Sequence, residues 1–436
     1  MHAARTFFVV LAVSATTCVS VAHEGRNTDL QPRPAVDLIL RAFEDHPVVA
    51  LSDGAGHGQL DTLEFFTTLV RDKRLPGTLQ NIVVEFGNAR YQAVMDRYVA
   101  GEAVPRDELR HVWEDTTQVS GIWSLPMYQQ MFAEVRSLNE ALPAAARIRV
   151  LLGDPPIDWS TVTGPADEDM NDWRDAHFAH LVEREVINRR EKALLLIGGA
   201  HIGRRVILPN SLIHLLDSRF PGQVWVVAVL DAGRTDPRIA TRLQNWTVPA
   251  GAAVRDTWFG ELDVKQIGFG LSEGVVEDDM DSVLLLSSVP PRQQDSPALE
   301  PTYARELARR RALAHATLPF RGAKIRFEEN IAVFAADANE PLQAVLKELL
   351  RDRGLRLLVK AFSDAAESDP LAVSTRRAEL LVDWLAARGV ARDRLVPKGC
   401  AALRPLTFGN TAADRAMNRR AELVRLAPTA GCQPPW

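Results

Sequence analysis

Side chains capable of acid–base chemistry follow a series of short apolar runs. Asp53 and His57 lie in the turn Asp53-Gly54-Ala55-Gly56-His57-Gly58, just after Val48 to Leu51. Glu85 closes the run Ile82 to Glu85, and Asp154 follows Ile148 to Leu152. Gly198-Gly199-Ala200-His201 follows Ala193 to Ile197, and Asp231 follows Val224 to Leu230. Two histidines among carboxylates can supply a general base with an orienting carboxylate. They can equally supply ligands for a divalent metal. One histidine after a strand is usually a structural hydrogen-bonder. Two Gly-x-x-His turns with a strand-end glutamate are more specific, because the glycines let the backbone turn tightly and leave the site open.

A second constellation lies near the C-terminus. Asp364 ends an apolar run, and Ser374-Thr-Arg-Arg377-Ala378 opens an amphipathic one. Ser374 reads as an N-cap, Ala378, Leu381, Val382 and Leu385 recur at helical spacing, and Gly389 is a natural stop. Arg377 then falls on the first turn, where a cation opposes the helix dipole. What it offers there is an anion site, since a helix N-terminus plus a guanidinium fork suits a carboxylate. With Asp364 beside it the pair suits a zwitterion; an exposed Asp–Arg ion pair is the plainer alternative.

The apolar runs are continuous rather than alternating, as strands buried on both faces require. Amphipathic segments such as Leu60 to Arg71 and Trp173 to Arg189 separate them. This rhythm predicts an α/β fold, with a doubly wound, mostly parallel sheet over residues 36–290 and Ser282 to Val289 as its last strand. In such sheets ligands bind outside the C-terminal strand ends, where these residues fall. Pro290-Pro291-Arg-Gln-Gln-Asp-Ser-Pro297 reads as the start of a linker, 291–321, whose basic helix carries Arg309 to Arg311 on a solvated face. Residues 322–427 predict a smaller α+β domain of βαβαβ order, followed by a tail, 428–436.

The chain has 436 residues, which favours two domains, and its 25% charged and 46% hydrophobic residues are those of a globular protein. A net charge of −5 gives no reason to expect nucleic-acid binding. Residues 1–22 read as a signal peptide: His2 and Arg5, an apolar Phe7 to Val13, then Ser20-Val-Ala22 as a small-x-small cleavage site. Ala15 and Thr17 before Cys18 do not match a lipidation site. No later segment is apolar for long enough to span a bilayer. Cys400 and Cys432 remain after cleavage, and in an oxidising compartment they suit a disulfide or two free thiols. His177 and His180, three apart on a helix, read as packing and surface residues before a metal pair. Asp278-Asp279-Met-Asp281 reads as a solvated acidic loop before a calcium site, and Trp113, Trp123, Trp159 and Trp258 as core before a pocket lining. Phosphate-binding loops, Gly-x-Ser-x-Gly elbows and Cys-x-x-Cys pairs are absent from the sequence.

Ser363-Asp364, Ser374-Thr-Arg-Arg377-Ala378 and Arg415-x-x-Asn418-Arg419-Arg420-x-Glu422 resemble the signature segments of OmpA-like domains, over roughly Gly322 to Leu426. That resemblance implies non-covalent binding to peptidoglycan, with Asp364 and Arg377 gripping the diaminopimelate of the stem peptide. It implies a periplasmic or cell-envelope location, with outer-membrane association open. Ala361-Phe362 stands where the family usually has Gly-His, Pro370 where it usually has Asn, and the loop from Asp364 to Arg377 is shorter. His57-Gly58, Glu85, Arg174-Asp175-Ala-His177-Phe178-Ala179 and His201 resemble the erythromycin-esterase-like group, related in fold to ChaN-type haem-binding proteins. This implies His57 as the base activating water, Glu85 as its support and His201 near the substrate or transition state; Asp53, Asp154, Arg174 and Asp175 are the candidate substrate-binding residues. The glutamate of the group's first motif falls on Gly54 here. Two readings follow. One is a wall-anchored hydrolase of an ester-like small molecule; the other is an envelope protein whose degenerate domain holds a ligand, a divalent metal, haem or a partner without turnover.

Overall fold

The computed structural model describes residues 28–54, 56–162, 174–205, 211–269, 274–315, 325–403, 406 and 411–426. The signal segment, Cys18, Gly322, Cys432 and the tail lie outside the described residues. Cys400 is disulfide-bonded, and its partner lies outside them too.

The larger sheet contains, among the described residues, eight strands: β1 (Arg33–Pro34), β2 (Val48–Ser52), β3 (Asn81–Asn88), β4 (Arg149–Asp154), β5 (Ala193–Ile197), β6 (Val224–Leu230), β7 (Ala250–Ala253) and β8 (Ser282–Leu285). Their spatial order is β1-β7-β8-β6-β2-β5-β3-β4. The pairs from β8 through β4 are parallel, while β7 runs antiparallel to both β8 and β1. The expected last strand therefore ends at Leu285 and lies inside the sheet, covered by the β7–β1 edge.

Side chains alternate between faces along a strand, so each apolar run feeds two cores. Val49, Leu51, Ile82, Val84, Leu194 and Leu196 pack with Ile39, Phe43, Phe66, Leu69 and Phe132 on one face. Val48, Ala50, Val83, Leu195 and Ile197 pack with Phe178, Val182, Ile213 and Leu216 on the other. Every residue of β2, β3 and β5 is buried. The result is a sheet sandwiched between helix layers, as the continuous runs require.

The smaller sheet has the order β11-β10-β12-β9, from β9 (Ile325–Arg326), β10 (Leu357–Ala361), β11 (Leu395–Gly399) and β12 (Arg420–Arg425). β10 pairs parallel with β11 and antiparallel with β12, which pairs antiparallel with β9. Helices Asn339–Arg351 and Pro370–Ala386 supply Val345, Leu349, Leu381, Val382 and Leu385 to a core against Leu357, Val359 and Ala361. The second of these helices starts earlier than expected. Asp369, not Ser374, is its N-cap, accepting from the Ala372 N–H at 3.0 Å, with Pro370 in the first turn. Ser374 is a turn further in: it donates to the Leu371 carbonyl and accepts from the Ala401 N–H.

The basic helix Pro301–His315 is docked on the larger sheet's loops. Arg310 is buried, pairing with Asp115 at 2.7 Å and donating to the Glu114 carbonyl. Arg309 donates to the Trp159 and Val162 carbonyls, and Arg311 to those of Val119 and Ser120. Loop carbonyls without a ladder partner are what these guanidinium forks satisfy; of the run only Arg310 is buried, while Arg309 and Arg311 reach those carbonyls from an exposed face.

Because the smaller sheet has its own core, we expect Leu381→Ala to destabilise it by about 2–5 kcal/mol. The unfolding of the larger sheet should be unchanged, as read from two transitions in chemical denaturation. One shared transition moving as a unit would contradict the separation.

Candidate functional site

The parallel strands β2, β5, β3 and β4 are neighbours and end at the same edge, so the segments that follow them are forced together. In β3 the pairing with β4 runs regularly to Val84–Leu152 and resumes only at Asn88–Asp154. Such irregularities re-aim side chains, and Glu85 lies within this one. The helix Arg174–Val182 contributes its first two residues, Arg174 and Asp175. The Gly198 backbone must pass close by: a Cβ there would stand 2.8 Å from His57 Cε1 and 3.0 Å from Glu85 Oε2.

Glu85 is the hub. One oxygen, Oε1, lies 2.8 Å from Arg174 Nη2 and 3.4 Å from His201 Nε2. The other accepts from the Gly198 N–H. Arg174 Nε donates to Asp154 Oδ1 at 2.9 Å, and Asp154 also accepts from the Thr117 N–H and hydroxyl. His201 Nδ1 donates to Asp175 Oδ1 at 2.6 Å. His57, Glu85 and His201 thus share one site, with Asp154, Arg174 and Asp175 beside them. Glu85, Asp154, Arg174, Asp175 and His201 line a cavity of about 10 Å³, the size of a single water site. Asp231 stays apart, accepting from the Gly233 N–H in its own turn.

The support of His57 differs from the expected one. Its Nδ1 donates to Asp53 Oδ2 at 2.6 Å, while Glu85 is committed to Arg174, His201 and Gly198. A glutamate at position 54 would be strained and would have to displace the Gln59 side chain. Gly54 has φ +100°, and a Cβ would stand 2.0 Å from Gln59 Oε1. Asp53, one residue earlier, fills the orienting role. Two further side chains bear on His57, one of them a tryptophan that the sequence offers as a pocket lining and one, Tyr128, that it does not single out. Trp123 packs edge-on to His57, with centroids 4.5 Å apart, and Tyr128 accepts from the Gly58 N–H, steadying the turn. A tryptophan reads as core from sequence, and Trp123 is indeed buried; only the fold brings it against the imidazole.

Burial opposes the charged form of His201, but the Asp175 and Glu85 carboxylates outweigh it and push its pKa up to about 10. Burial likewise opposes ionised Glu85, yet Arg174 and His201 hold it well below the usual carboxylate range. For His57 burial is again the largest effect, and Asp53 overcomes it, raising the pKa above 6.5. Burial also lifts Asp154 and takes His177 down to about 3. His177 is buried and His180 exposed on the same helix, so they face different surroundings. Among the described residues no group of three or more His, Cys, Asp or Glu side chains is arranged to hold a metal ion.

In the smaller sheet, Asp364 and Arg377 do not pair. Asp364 accepts from Asn418 Nδ2 at 2.9 Å and from the Ala366 N–H at 3.0 Å. Arg377 lies in the interior of its helix, fully buried, and forks onto Glu367 at 2.7 and 2.5 Å. The expected first-turn anion site is therefore corrected: the helix begins at Pro370, and an internal carboxylate holds the guanidinium.

No family model matches the chain. Over 105 residues it is 30% identical to the peptidoglycan-binding protein ArfA of Mycobacterium bovis and of Mycobacterium tuberculosis. That match covers 24% of this chain and 32% of ArfA, so the chain spans about a third of the length of those relatives. It is similar to the crystal structure of the peptidoglycan-associated lipoprotein from Burkholderia pseudomallei, at 23% identity and TM-score 0.23, covering 24% of this chain and 89% of that one. A crystal structure from Bacillus cereus is 11% identical with TM-score 0.39, covering 63% of this chain and 96% of that one.

The folded pKa of His201 lies above its unfolded value of about 6.5. Its imidazolium therefore contributes stability that is complete below about pH 6.5 and is lost as pH rises through about 10. Replacing Asp175 by Asn should flatten that decline, as measured by denaturation midpoints across this window. An unchanged slope would contradict the assignment.

Proposed function

We propose that this chain is a cell-envelope protein whose smaller domain holds it to peptidoglycan and whose larger domain carries a hydrolytic acid–base site. The observation that carries the hydrolytic reading is the pair of histidines, each fixed by a carboxylate at 2.6 Å, beside the shared Glu85. With Nδ1 held by Asp53, neutral His57 presents Nε2 as a base for water. The His201 imidazolium and Arg174 supply fixed positive charge for a developing oxyanion, where preorganised donors have the greatest effect. Glu85 and Asp154 set their positions. An ester-like small molecule is the substrate class this arrangement suits, as the resemblance to the erythromycin-esterase-like group implied.

Anchoring is supported by the identity with a peptidoglycan-binding protein over 105 residues, a stretch the size of the 322–427 segment. Diaminopimelate is the proposed ligand, its ammonium meeting Asp364 and its carboxylate Arg377. A location in the envelope accords with this, and with the signal segment read from residues 1–22. No helix of the described residues is long and apolar enough to cross a membrane. Binding without turnover is the second reading. It is favoured by the small cavity and by the internal commitment of Glu85 and Arg174.

Turnover on a panel of esters and lactones should follow a bell-shaped pH profile. The acid limb belongs to His57, above pH 6.5, and the alkaline limb to His201, near 10. His57→Ala should lower kcat at least 100-fold. Asp53→Asn should move the acid limb to lower pH, because it removes the charge that raises His57. Equal rates in wild type and His57→Ala would reject the base.

The full chain should co-sediment with purified peptidoglycan, and Asp364→Ala should weaken this at least tenfold. Wild-type protein remaining in the supernatant would sink the anchoring claim.

A further inference from the structure

Glu367 lies three residues beyond Asp364, in the turn between β10 and the helix Pro370–Ala386. Its two oxygens take both terminal nitrogens of Arg377, Nη1 to Oε2 at 2.7 Å and Nη2 to Oε1 at 2.5 Å. This is the bidentate fork by which arginine recognises carboxylates. The remaining donors are also engaged. Nε donates to the Ile331 carbonyl at 3.2 Å, Nη1 to Ser363 Oγ at 3.1 Å and the Phe362 carbonyl at 3.3 Å, and Nη2 to the Glu328 carbonyl at 2.6 Å. A guanidinium has five N–H groups, and here all of them point at internal acceptors. The two side chains are 0% and 1% exposed. Glu367 is itself held in place by the Asn330 N–H at 2.6 Å and the Asp364 N–H at 3.0 Å.

We propose that Glu367 is an internal competitor for the Arg377 anion slot, so that a peptidoglycan carboxylate binds there only after displacing it. This rests on the reading that the smaller domain binds peptidoglycan, and it names the residue that sets the affinity. The two halves of the zwitterion site are then unequal. Asp364, on the same turn, is preset by Asn418 and the Ala366 N–H, while the guanidinium is masked. A carboxylate tethered ten residues away on the same chain competes at an effective concentration on the order of millimolar. Apparent affinity falls in proportion to the fraction of molecules in which the slot is open. A slot open in about one molecule in a hundred weakens binding about a hundredfold.

Glu367 and Arg377 are mutually buried, so a deletion that strands the guanidinium also threatens folding. Glu367→Gln keeps the volume and one acceptor oxygen and is the variant of choice, with Glu367→Ala beside it. The full-length chain is titrated with a soluble muropeptide containing diaminopimelate and sedimented with insoluble peptidoglycan, and each variant is checked for a cooperative melt. The expected result is at least tenfold tighter binding by Glu367→Gln, abolished by Arg377→Ala in the same background. A folded Glu367→Gln variant that binds like wild type, or more weakly, overturns the competitor while leaving anchoring intact. Failure of wild type and variants alike to bind overturns both. If the variants do not fold, the wild type still decides. Saturating muropeptide must shift the Arg377 guanidinium NMR signals, and unchanged signals with ligand bound overturn the proposal.

Discussion

The ion pair between Glu85 and Arg174 is the interaction on which the larger domain's site depends. A buried carboxylate and a buried guanidinium are each costly alone, and removing either leaves the other uncompensated. Here the pair does more than neutralise itself. Through Glu85 it reaches the Gly198 N–H and His201, and through Arg174 it reaches Asp154. Three strand ends and one helix start are thereby joined. Asp175 and then Glu85 favour the imidazolium of His201, and Glu85 stays ionised beside it because Arg174 and His201 are its partners. The position and charge state of the histidine thus follow from the same two carboxylates.

Much of this was visible in the sequence, for a physical reason. Strands buried on both faces leave continuous apolar runs, and parallel strands end at one edge, so residues after those runs had to converge. His57, Glu85 and His201 did so. The antiparallel strand Ala250–Ala253 was not visible, because Ala-Gly-Ala-Ala carries little strand signal. Nor was the partner of His57, since the motif pointed to position 54, where the positive φ disfavours any side chain, while Asp53 stands one residue earlier. In the smaller domain two good caps competed. Ser374 fits the capping preference, but Asp369 followed by Pro370 fits it better and wins by a full turn. Glu367 carried no signal at all, because a glutamate in a turn reads as solvent-facing.

The two domains treat their arginines in a parallel way. Arg174 and Arg377 are both buried, and both are matched by a glutamate close at hand. The difference lies in what surrounds the pair. Around Arg174 stand titratable groups and a water-sized cavity, an arrangement suited to moving protons. Around Arg377 stand backbone carbonyls, an arrangement suited to holding or releasing a carboxylate.

In the larger site Asp175 and Glu85 hold His201 as an imidazolium beside a titrating His57. Nitrogen-15 spectra of the two histidine rings, recorded from about pH 5 to about 11, read both protonation states. Both nitrogens of His201 should show imidazolium shifts until pH nears 10, while His57 titrates with a pKa raised above 6.5. A His201 ring that is neutral at pH 8 would contradict it.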